Sequence, residues 1–183
     1  MGCPLTIRIV SIAACAGLAL LAHASEGATE ISPNIANASW EDFKEMYPIS
    51  ALCEVDEITL WTCDDDEKTY SLCSSIEITE DVGYIQYRVG TEQGVNLVFP
   101  EHQHHPRGIF RQSLSPSGDV RITFRNSGHS YTLVDRLRGT SSIEVLPESE
   151  SEGIAGVSCH NENQSLQLNY TLKLVYQAGI ADR

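Results

Sequence analysis

Basic side chains are scarce in this chain, and the scarcity narrows its function more than any motif does. Twelve lysines and arginines face 25 aspartates and glutamates across 183 residues, a formal charge of −13. Phosphate recognition releases counterions through clustered Lys and Arg, so nucleic acid and anionic lipid are excluded as partners. A field of this sign instead draws in basic proteins and cationic ligands, besides keeping the chain in solution. Long apolar runs are missing too. The longest, Ile9 to Leu21, is interrupted by Ser11 and Gly17 and falls short of the ~20 residues that span a hydrocarbon core. Stable membrane insertion is therefore not expected. The punctuation of common active sites is also absent: there is no Gly-x-Ser-x-Gly elbow, no His-Glu-x-x-His pair and no phosphate-binding glycine loop. Ser, His and Asp all occur, but nothing in the pattern makes them converge. The chain reads as a protein that is not an enzyme.

What is present begins at the N-terminus. Arg8 precedes the apolar run, and Ala22-His23-Ala24 puts small residues at the two positions that signal peptidase reads. Residues 1–24 are expected to be a cleaved signal peptide, giving a periplasmic or secreted product that starts at Ser25. Two other readings of the run are a membrane anchor, for which it is short, and a lipoprotein box at Ile12-Ala13-Ala14-Cys15. Cys15 lies close to Arg8 for lipidation. Removal of the first 24 residues takes away Arg8 and no acid, leaving 11 basic against 25 acidic side chains, a net −14.

Cys3 and Cys15 depart with the signal peptide, and Cys53, Cys63, Cys73 and Cys159 remain. An even number in an exported chain is expected to form two disulfides. No CxxC or HxxxH pair accompanies them, which disfavours zinc. Of the three connectivities the expectation leans to Cys53–Cys63 with Cys73–Cys159, although spacing alone does not fix the pairing.

Residues 25–38 are small and polar and read as a flexible leader. Ser39-Trp40-Glu41-Asp42 resembles a capping box, Trp40, Phe43 and Tyr47 share a helical face, and Pro48 ends that helix. Strands follow: around Ile58 to Trp61, Tyr70 to Leu72 and Ile76 to Ile78, then between Gly83 and Gly90, and from Val95 to Phe99. Further strands are expected at Val120 to Phe124, Tyr131 to Val134, Ile143 to Leu146 and Ile154 to Cys159. Leu166, Leu168, Tyr170, Leu172, Leu174 and Tyr176 alternate as a strand would, and can equally pack as a terminal helix. Glu148 to Gly153 reads as a solvated loop. Residues 39–183 thus form a single all-β domain, mainly antiparallel: a small barrel or sandwich with a short N-terminal helix and two disulfides.

Three segments offer chemistry. His102, His104 and His105 lie just beyond Pro100, and three imidazoles in four residues suit a weak Zn or Cu site. Histidine-rich surface loops are more often incidental, so no cofactor is expected on the main reading. Asp64 to Glu67 has carboxylates for Ca²⁺ but lacks the glycine and distal glutamate of a calcium loop, and reads as a turn. The third segment is Ser127-Gly128-His129-Ser130-Tyr131, between two expected strands.

This last segment resembles the Ser-Gly-x-x-Tyr inhibitory loop of the C-type lysozyme inhibitors. The resemblance implies a loop that enters a muramidase cleft, with the Ser127 and Tyr131 hydroxyls meeting the catalytic carboxylates, one of which is kept protonated. Arg138-Gly139 stands for the family's downstream Lys-Gly, at a shorter distance. A plain hairpin turn accounts for Ser127-Gly128 equally well. A broader resemblance covers roughly residues 50 to 160. Cys53-Glu54, Trp61-Thr62-Cys63, Ser71-Leu72-Cys73, Gly83-Tyr84-Ile85-Gln86-Tyr87-Arg88-x-Gly90 and His105-Pro106-Arg107-Gly108 are similar to a family of exported Gram-negative proteins. It implies export and a shared β fold and names no ligand.

The expected function is a periplasmic or secreted binding or inhibitory protein, with a basic envelope hydrolase of the lysozyme type as partner. Ser127, Gly128, Tyr131 and Arg138 are the expected contacts, and an immunity protein against a toxic hydrolase is the nearest variant. The alternatives are a metal-binding envelope protein using the His102–His105 loop, and a structural envelope protein with no discrete site.

Overall fold

Alternation is clearest at residues 120–124, and it shows how the chain builds its layers. In the computed structural model Val120, Ile122 and Phe124 are buried, while Arg121 and Thr123 between them are half-exposed. That is the period of a strand with one wet face. The structure describes residues 34–91, 93–147, 155–160 and 163–182. The expected signal peptide with Cys3 and Cys15, most of the expected leader, and the acidic stretch 148–153 lie outside the described residues.

Among the described residues nine strands form two antiparallel meanders. The first sheet runs β1 (Glu57–Asp64), β2 (Thr69–Ser75), β3 (Ile85–Thr91) and β4 (Gly94–Phe99), in that spatial order. The second runs β5 (Phe110–Leu114), β6 (Val120–Asn126), β7 (His129–Asp135), β8 (Ser142–Pro147) and β9 (Ala155–Ser158). The sheets face each other through aromatic rings: Tyr87 of β3 lies 5.0 Å from Phe124 of β6, and Phe99 of β4 stacks on the same ring at 5.1 Å. Each sheet keeps two edges, so the architecture is a sandwich and not a closed barrel.

A short helix, α1 (Trp40–Phe43), precedes the first sheet and continues as a 3₁₀ turn to Met46. The expected capping box is altered: the Ser39 hydroxyl donates to the Asp42 carboxylate at 2.6 Å and makes no cap to the backbone. The end of the expected leader is built into the fold. Asn34 and Asn37 bond reciprocally across a turn, and Ala38 is fully buried.

At the other end, the alternating run becomes a 3₁₀ turn (Ser165–Gln167) and a helix, α2 (Asn169–Gln177). Every second apolar residue also supplies an i, i+4 series. Leu166, Tyr170 and Leu174 are buried on one face, while Tyr176 is left 77 % exposed. The segment leading into α2 sheathes β1 by capping alternate carbonyls. The His160 amide donates to Asp64, the Asn163 side-chain amide to Thr62 and the Ser165 hydroxyl to Leu60, at 2.9, 2.8 and 2.6 Å. The C-terminal tail closes β5 likewise, through Gln112 N–H to Ile180 O and Asp182 N–H to Gln112 O. The β1 and β5 edges are thereby covered against strand addition.

All four described cysteines are paired, but as Cys53–Cys73 and Cys63–Cys159. This corrects the expected Cys53–Cys63 and Cys73–Cys159. The reason is the two-residue period of a strand. The Thr62 hydroxyl meets that of Ser71, so Thr62, Ser71 and Cys73 share one face of the sheet, and Cys63, next to Thr62, points to the other. The loop carrying Cys53 covers the first face. Two disulfides indicate an oxidising compartment outside the cytoplasm. Among the described residues no helix is long and apolar enough to cross a membrane.

Candidate functional site

The link between β6 and β7 is as short as a hairpin allows. Asn126 pairs with His129, leaving Ser127 and Gly128 as a two-residue turn. Both take positive φ, +50° and +73°, the signature of the turn whose twist matches that of the flanking strands. Gly128 is the residue this requires, whereas Ser127 adopts a conformation unusual for a side-chain-bearing residue. Both are exposed. The Ser127 hydroxyl donates to Asn126 Oδ1 at 3.2 Å, and His129 Nδ1 lies 3.0 Å from the Ser127 carbonyl.

Tyr131 does not belong to the tip. Its half-buried ring stacks on Phe124 at 5.1 Å with planes 2° apart, on the core-facing side of β7. Arg138 follows the far end of β7. The six rises of ~3.3 Å along β7 separate its two ends by about 20 Å, with Ser127 beyond one and Arg138 beyond the other. The expected set is therefore divided into an exposed tip, an aromatic anchor behind it and a distant arginine.

The histidine loop joins β4 to β5 at the same end of the sandwich as that hairpin, since Phe99 stacks on Phe124 and Phe110 pairs with it. The His102 and His104 rings are exposed and lie 6.3 Å apart, edge to face. His105 is occupied otherwise: its Nε2 is 3.0 Å from the Thr79 carbonyl and its Nδ1 accepts from the Arg107 amide. The three rings do not converge. Among the described residues, the only ligand-type trio within bonding range of a common ion is Cys53, Glu57 and Cys73, in which both sulfurs are already in a disulfide.

A polar site that the sequence reading did not single out lies beneath the Cys53 loop. Arg88 of β3 grips Glu57 of β1 with both terminal nitrogens at 2.7 Å, and the same nitrogens donate to Leu52 O and Gln86 Oε1. Tyr84 and the Glu54 amide complete the shell around the carboxylate. The Glu57 side chain is fully buried. Tyr84, Gln86 and Arg88 are alternate residues of the Gly83–Gly90 segment, while Ile85 and Tyr87 enter the core. Its polar residues thus serve the fold, and burial raises the Tyr84 hydroxyl to about 12, aided by the hydrogen bond to Glu57. The His105–Gly108 segment is also a folding device: the Ile109 and Phe110 amides cap the Pro106 carbonyl.

One acid lacks such a shell. Asp135, at the end of β7, has no exposed surface. Its Oδ2 accepts the Leu166 amide at 2.8 Å and Oδ1 has no partner. Burial raises its carboxyl to about 7, opposed by the Leu166 hydrogen bond, with the Asp119 charge reinforcing the rise. A fully buried acid with one unpartnered oxygen bears directly on stability. Comparison with known proteins finds no matching family model, no matching curated protein and no matching solved structure.

Proposed function

We propose that this is a periplasmic or secreted binding protein, released by cleavage near Ala24, that inhibits a basic cell-wall hydrolase of the lysozyme type or confers immunity to one. The observation that carries the reading is the β6–β7 tip, where Ser127 is exposed and locked at φ +50° on a hairpin anchored by aromatic stacking. A rigid, pre-set hydroxyl loses little entropy on entering a cleft. Strain of this kind persists where the surroundings enforce it, and it concentrates at recognition sites. The net charge supports a basic target by steering encounter. In this reading Ser127 and Gly128 enter the cleft, Tyr131 contributes apolar area at its rim, and Arg138 lies outside the contact. Titration of the protein into a basic muramidase, with residual lytic activity as readout, is the test. Inhibition that weakens with salt supports the reading, and unchanged lysis at micromolar protein removes it.

A second reading is favoured by the closeness of the exposed His102 and His104 rings, which suits a weak two-histidine Zn or Cu site. Calorimetry with each metal, before and after replacing both histidines by alanine, decides it: heat that survives the replacement rules the loop out.

A further inference from the structure

Apolar side chains in the segment between α1 and β1 divide by direction. Leu52 turns inward and is 6 % exposed, whereas Ile49 and Val55 are 95 % and 103 % exposed. The loop cannot readily turn to hide them, because it is fastened at three points. Cys53 is bridged to Cys73, the Ser50 hydroxyl bonds Ser71 at 2.7 Å, and Arg88 holds the Leu52 carbonyl. Ile49 and Val55 border one depression of about 280 Å³ together with Trp40, Tyr47 and Pro48. That volume suits one or two large apolar side chains. A single exposed valine needs no explanation, but a fastened pair beside a half-buried tryptophan and a proline makes a patch.

The rim of the patch is mainly acidic. Glu54 and Asp56 flank Val55, and Glu41, Asp42 and Glu45 lie on the helical segment that supplies Trp40, all of them exposed. Among the described residues the nearby cations are already engaged: Lys44 is held by Glu41 at 2.7 Å, and Lys173, over the Tyr170 ring, donates to the Ala38 carbonyl. We infer that this surface docks a cationic amphipathic segment of a protein partner, an apolar side chain seated between Ile49 and Val55 and flanking Lys or Arg meeting the carboxylates. Charge complementarity selects this occupant. A second copy would oppose acid to acid, and an anionic lipid surface would be repelled. The surface adds a contact on elements separate from the β6–β7 tip, so it stands or falls apart from the inhibitory reading.

The test uses the purified protein and two synthetic peptides of equal length and charge, one of leucine and lysine and the other of serine and lysine. Trp40 emission reports binding, since Trp61 is fully buried. The expected result is a change on adding the leucine–lysine peptide, with the serine–lysine peptide at least tenfold weaker. The double variant Ile49→Ser, Val55→Ser should lose at least tenfold in affinity for the first peptide and keep its melting temperature, both side chains being exposed. Ser127→Ala should bind like the parent. Equal affinity for the two peptides, or full affinity in the double variant, overturns the inference. So does a concentration-dependent dimer that the double variant abolishes, because the occupant is then a second copy.

Discussion

Arg88 and Glu57 are 31 residues apart in sequence, yet they form a bidentate ion pair with N···O distances of 2.7 Å and almost no exposed surface. Removal of one partner leaves a buried charge without compensation, which costs about 3–5 kcal/mol. Glu57→Gln and Arg88→Met should each lower the unfolding free energy by roughly that amount in denaturant titration. The double replacement Glu57→Leu, Arg88→Met should cost less than the sum of its parts, because it removes both charges together.

The two disulfides differ in the loops they close, 20 residues for Cys53–Cys73 and 96 for Cys63–Cys159. Longer loops lose more entropy on cross-linking, so replacing the second pair by alanine should cost about 4–5 kcal/mol and the first about 3. Peptide mapping without reductant should recover Cys53 linked to Cys73. Recovery of Cys53 linked to Cys63 would contradict the sheet alternation described above.

Asp135 gives the stability a pH dependence of definite sign. Its folded carboxyl titrates at about 7 and its unfolded one near the ordinary ~3.9. Below pH ~4 both forms are protonated and the full contribution is present. Between pH ~4 and ~7 the unfolded chain has released the proton while the folded chain keeps it, so stability falls as pH rises, and it levels off above. Asp135→Asn should abolish that slope, gaining on the parent by on the order of a few kcal/mol between pH 4 and 8. Denaturation curves at both pH values check this, and parallel behaviour of the two proteins would refute it.

At the hairpin tip, Gly128 holds φ +73° and Ser127 +50°. Gly128→Val should lower stability by about 1–2 kcal/mol, the penalty for left-handed backbone in an L-residue. Ser127→Asn should raise it by a few tenths, since Asn-Gly is the preferred pair in this turn. Thermal melts of the two variants are sufficient to check the signs.

How much of this was legible in the sequence follows from which interactions were local. Strand β6 announces itself through Val120, Ile122 and Phe124, and β7 and β8 do so similarly. Strand β5 does not, because its core-facing position Gln112 is polar and breaks the apolar alternation, while only its backbone pairs with the C-terminal tail. The last segment kept two readings open, since alternation by two contains the spacing of four that a helix buries. Cysteine pairing depended on which face the Cys53 loop covers, a fact that lies outside β1 and β2 themselves. Of the candidate residues, Ser127 and Gly128 were local enough to place at a turn. The separation of Arg138 from them required the length of β7, and the Glu57–Arg88 pair required the register of three strands.

The most direct test of the proposed function is the affinity of the protein for a basic muramidase at low and at physiological salt, with Ser127→Ala measured alongside. The expected result is a one-to-one complex that weakens as salt rises and loses roughly 1–3 kcal/mol in the variant, with the melting temperature unchanged. No complex at low salt, or a complex indifferent to both salt and Ser127, would contradict it.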